Sequence, residues 1–135
     1  MGAWGTGPFD NDEAADFAGG LDDLSEDKRA DAVREALTRA VEEADYLDGD
    51  DAAVAVAAAA LVAAQCPGGD EVDSVHAPRE SLPQLPDELR SLAAVALDRV
   101  LADDSELKDL WEEAGNAEQW HEDIARLHQT LVPTS

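Results

Sequence analysis

Residues 50–66 read Asp50-Asp51-Ala52-Ala53-Val54-Ala55-Val56-Ala57-Ala58-Ala59-Ala60-Leu61-Val62-Ala63-Ala64-Gln65-Cys66, with thirteen apolar side chains in a row from Ala52 to Ala64. Alanine loses no side-chain entropy on ordering and is the best helix former, so the run predicts a helix. A buried strand is the alternative, but the length and the alanine content argue against it. Thirteen residues fall short of the ~20 that cross a bilayer. A helix apolar on every side therefore belongs inside a domain, with the other helices packed on it. Asp50 and Asp51 stand where an N-cap and a first-turn carboxylate would oppose the helix dipole. Pro67, Gly68 and Gly69 close the segment.

Working outward, the flanking segments carry helical periodicity. Residues 1–10 form a glycine-rich segment broken by Gly2, Gly5, Gly7 and Pro8, and a short helix is expected to begin at its last residue, Asp10. Asp10 and Glu13 have capping-box spacing, and Gly19 or Gly20 is expected to stop the helix. Residues 26–44 form the next helix, with Ser25 as N-cap and Ala30, Val33, Leu37, Ala40, Val41 and Ala44 in one stripe. Residues 67–85 make a long irregular segment, longer than most connections in a compact domain. Pro86 suits a helix N1 position, and an apolar stripe from Leu89 runs on to about Ala102. A helix at residues 105–114 follows, with Leu107, Leu110, Trp111 and Ala114 inward and Gly115 as its C′ residue. Asn116 and Gln119 have capping-box spacing at the start of a last helix that buries Trp120, Ile124, Leu127 and Leu131 before Pro133. The expectation is one all-α domain over residues 1–135, with five or six helices around the alanine-rich one.

Charge bounds the partners. The chain of 135 residues carries 32 Asp and Glu against nine Lys and Arg, a net charge of −23. Such a field repels nucleic acid and anionic membranes and attracts cationic proteins. Apolar residues make up 44% of the chain, enough for a core. The one cysteine, Cys66, excludes an intrachain disulfide and follows an apolar run, where a thiol is usually inert. The N-terminus has neither a basic region nor an apolar run, so the expected location is the cytoplasm.

No residue pattern defines a catalytic centre. Gly5-Thr6-Gly7 follows no strand and lacks the lysine of a phosphate loop. In the acidic cluster Asp10, Asn11, Asp12, Glu13 and Asp16, successive helical residues diverge, so only Asp12 and Asp16 share a face. Capping and solvation account for it. His121 and His128 are seven residues apart, where single-helix zinc sites favour closer spacing, so a site that also used Cys66 or Glu118 is not expected. No cofactor or metal is called for.

The opening Gly2-Ala3-Trp4-Gly5-Thr6-Gly7-Pro8-Phe9-Asp10-Asn11-Asp12, followed by Ala15-Asp16-Phe17 and Leu21, resembles the signature of a bacterial family, the domain of unknown function 4259. Its members begin with a Trp-Gly-x-Gly-x-Phe-x-Asn-Asp pattern. Residues 61–66 and Leu110-Trp111 also resemble family positions. Phe17 stands where many members have Trp, which keeps an aromatic anchor. The resemblance implies a bacterial, and more narrowly an actinobacterial, source. It implies no activity and no catalytic residues.

These readings favour a non-enzymatic interaction protein that binds a basic partner, in its sharper form an immunity- or antitoxin-like inhibitor of a cationic protein. The rival is an enzyme or small-molecule binder, its site between residues 4–12 and 67–85 and lined by Trp4, Asp10, Asn11, Asp12 and His76. A structural protein or homo-oligomer is the third reading.

Overall fold

The computed structural model describes residues 12–43, 45–65, 85, 87–115 and 117–132. They form six helices: α1 (Asp12–Asp22), α2 (Glu26–Glu42), α3 (Gly49–Ala64), α4 (Glu88–Val100), α5 (Glu106–Ala114) and α6 (Ala117–Leu131). The described residues contain no strand beyond one isolated parallel bridge between Leu47 and Ser105. The architecture is all-α, as the periodicities predict.

The alanine run is α3, and α3 packs against each of the other five helices. Ala52, Ala55, Ala57, Ala58 and Ala59 are wholly inaccessible, and Val56, Leu61 and Val62 are buried beside them. Small side chains on every face let several helix axes come close to one another. Larger side chains from the neighbours fill the remaining space: Val33 and Leu37 of α2, Leu89, Leu97 and Val100 of α4, and Trp120 and Ile124 of α6.

The N-cap of α3 is Asp48, not Asp50. The Asp48 carboxylate accepts a hydrogen bond from the Asp50 amide at 2.8 Å, and Asp50 and Asp51 lie in the first turn. The Gly49 amide donates to Glu106 Oε1 at 2.7 Å, so a carboxylate from the start of α5 also faces the positive end of the α3 dipole. At the far end, Gln65 Oε1 accepts from the amide of the buried Leu85 at 2.8 Å.

Gly19 and Gly20 do not stop α1, which continues to Asp22. Leu21 is buried in the core. Its burial, ~1.5–3 kcal/mol, offsets a propensity cost of ~1 kcal/mol per glycine. The Leu21 carbonyl then accepts from Arg29 Nε at 2.9 Å, a cation at the helix C-terminus. Helix α2 ends at Glu42, two residues short of the expected end, and Ser25 occupies its N-cap without a side-chain capping bond. Helix α4 ends at Val100 rather than at Ala102. Ala114, expected to face inward, is exposed, while Trp111 carries the buried face of α5. Gly115 has φ 87°, the left-handed conformation that lets the chain leave α5 and enter α6 within two residues.

Two turns distant in sequence are stitched together. The Leu47 amide donates to the Asp104 carbonyl at 2.8 Å, and the Glu106 amide donates to the Leu47 carbonyl at 2.9 Å. Arg99 reinforces the seam: Nε donates to the Glu43 carbonyl at 3.1 Å, Nη1 to the Asp104 carboxylate at 3.0 Å, and Nη2 to the Asp45 carbonyl. The planar fork suits three acceptors at once.

Candidate functional site

Of the residues expected to form a site, Trp4, Asp10, Asn11 and His76 lie outside the described residues. So do Cys66, Asn116 and the 67–85 segment apart from Leu85. Asp12 is the exposed first residue of α1. Among the described residues, no group of three His, Cys, Asp or Glu is arranged to hold a metal ion. His128 Nε2 instead lies 3.2 Å from Asp98 of α4, away from any zinc-like grouping with His121.

What the helices display is carboxylate. Four of the cations form internal pairs: Arg34 with Glu88, Arg39 with Glu35 at 3.0 Å, Arg99 with Asp104 at 3.0 Å, and Lys108 with Asp103 at 2.9 Å. The hydrogen bond to Asp103 is the main cause that holds the Lys108 ammonium above its usual pKa, and the same bond holds the Asp103 carboxyl below its own. Tyr46 donates to Asp109 Oδ2 at 2.6 Å, and this bond is the first cause pushing its phenol from 10.0 up to about 12. The Asp109, Glu106 and Glu113 charges add to that shift.

One concavity lies between α5 and α6. It is an open groove of about 400 Å³ lined by Lys108, Glu112, Ala117, Glu118, His121 and Glu122. The i, i+4 pairs Lys108/Glu112 and Glu118/Glu122 face it from opposite helices. Ala117 leaves room at the closed end of the hairpin. The Trp120 ring meets His121 edge-on at 5.2 Å and stacks with Trp111 at 6.4 Å. Lys108 pairs with Asp103 at 2.9 Å and stands 3.9 Å from Glu112, and Glu118 and Glu122 form no ion pair among the described residues. In the sequence Glu118 and His121 stand out only as members of a disfavoured metal grouping with His128 and Cys66. Their face on α6 is legible from spacing, but the wall opposite requires the hairpin geometry.

The described residues define a compact all-α helical protein. Among the described residues no helix is long and apolar enough to cross a membrane. The chain belongs to the family described as "Domain of unknown function (DUF4259)", whose model matches residues 2–123. No curated protein and no solved structure matches it.

Proposed function

We propose that this protein is a non-enzymatic interaction module that binds a basic protein through its carboxylate surface. The observation that carries the reading is the distribution of charge. Arg34, Arg39, Arg99 and Lys108 are engaged in intramolecular ion pairs. The chain's net charge is −23, and among the described residues carboxylates such as Asp12, Asp16, Asp31, Glu118 and Glu122 face solvent. A field of that size accelerates encounter with a cationic surface and rejects anionic ones, so it selects partners by sign. In its sharper form the module is an immunity- or antitoxin-like inhibitor that covers the cationic face of its target.

The test is co-purification from the native host at low and high salt. A single basic protein should be retained in fixed stoichiometry through gel filtration at moderate ionic strength and released at high salt. Recovery of abundant background proteins alone, with no stoichiometric partner, would count against the reading.

A further inference from the structure

We infer that the contact between the α2–α3 turn and the start of α5 is a latch governed by ionic strength, closed in high salt and opening in low salt. Like charge meets like charge across it. Asp45, Asp48, Asp50 and Asp51 lie on the turn and the first turn of α3, and Asp103, Asp104, Glu106, Asp109 and Glu113 on the segment opposite. The two segments are in direct contact, through the Leu47 amide to the Asp104 carbonyl and the Glu106 amide to the Leu47 carbonyl. The carboxylates of Asp48 and Glu106 accept from the nearby amides of Asp50 and Gly49, so both crowd the N-terminus of α3. The Tyr46 phenol feels the same crowding: the charges of Asp109, Glu106 and Glu113 all raise its pKa. Among the described residues three cations pair with this group: Arg99 with Asp104, Lys108 with Asp103, and Arg39 with Asp51 at 3.8 Å. The carboxylates therefore outnumber the cations that offset them. Their repulsion reaches about 30 Å at 0.01 M salt and about 3 Å at 1 M. The α3–α4 core, held by residues such as Ala58, Ala93 and Leu97, has no charge to screen, so salt acts on the latch first.

The experiment is amide hydrogen exchange by NMR at neutral pH in about 0.01 M and about 1 M KCl. The amides of Leu47, Gly49 and Glu106 report on the latch, and those of Ala58 and Leu97 on the core. Three proteins are compared: the native chain, Asp45→Asn/Glu113→Gln, and Asp16→Asn/Asp31→Asn. The first variant removes charge from exposed side chains at the latch, and the second removes the same charge from exposed positions of α1 and α2. In the native chain the latch amides should slow about tenfold relative to the core amides between the lower and the higher salt. That dependence should fall to about threefold or less in the latch variant and stay near tenfold in the distal one. Latch amides that exchange at the same rate in both salts would overturn the proposal. So would latch and core amides slowing by the same factor, or both variants losing the dependence equally, because net charge would then act on the whole fold and not at this contact.

Discussion

Replacing Gly49 by alanine should destabilise this protein, although alanine is ordinarily the better helix former. In a helix interior alanine gains ~1 kcal/mol over glycine, and the gain is smaller at a first helical residue such as Gly49. Against it stands the space Glu106 occupies. A Cβ on residue 49 would lie 2.8 Å from Glu106 Oε1 and 3.5 Å from its Cγ and Cδ. The carboxylate must swing away, and it is the acceptor for the Gly49 amide at 2.7 Å. A hydrogen bond to a charged group contributes ~1.5–3 kcal/mol, and here it also faces a helix N-terminus. The balance is a loss of ~1–2 kcal/mol. For a chain of this length that lowers Tm by about 3–7 °C. Urea denaturation followed by circular dichroism measures it, and a double-mutant cycle identifies the cause. In a Glu106→Ala background the same glycine replacement should become neutral or stabilising by up to ~1 kcal/mol. If it costs as much without Glu106 as with it, the glycine is not there to admit that carboxylate and the reasoning fails.

Arg99→Lys should cost ~2 kcal/mol, because one ammonium cannot reach Glu43, Asp45 and Asp104 together; a urea midpoint equal to that of the native chain would refute the seam described here. Ala58→Leu adds three carbons to a site with no accessible surface and should cost ~1–3 kcal/mol or more, whereas Ala64→Leu at the half-buried end of α3 should cost well under ~1 kcal/mol. Equal costs would mean that α3 is not packed tightly at its middle. Tyr46 is the sole tyrosine, so phenolate absorbance reports on it alone. Its folded-state pKa is raised, so its contribution to stability is complete below the ordinary value of 10.0 and is lost as pH climbs toward about 12. Asp109→Asn should bring the midpoint back toward 10.0, and a native midpoint already at that value would contradict the Tyr46–Asp109 bond.

The helices were legible because their signals are local and redundant. Stripes such as Val33, Leu37 and Ala40 repeat at helical spacing, and an alanine run of this length has no other stable home. Boundaries were less legible where a distant contact outweighs a local preference. Gly19 and Gly20 read as a stop, yet the burial of Leu21 carries α1 past them. The four residues Asp48, Gly49, Asp50 and Asp51 offer more than one N-cap, and the choice of Asp48 depends on how the turn meets Ser105 and Glu106. Long-range polar contacts were not legible at all. Glu106 to Gly49 and Arg99 to Glu43 each span more than fifty residues, and nothing in a list of 32 carboxylates marks Glu106 as special. The groove was half legible: one face of α6 follows from spacing, while its partner face on α5 follows only from the turn at Gly115.

The helix at the centre poses a hazard once it leaves the centre. In the unfolded chain, residues 52–64 meet water as an uninterrupted oily tract, the kind of segment through which molecules clump. Asp48, Asp50 and Asp51 guard one flank, and mutual repulsion among strongly anionic chains guards the whole. Heating and cooling at neutral pH should therefore return native protein, whereas the same cycle near the sequence pI of 4.1, where repulsion vanishes, should end in precipitate. The acidic side chains of the folded protein are thus also what keep its unfolded copies in solution.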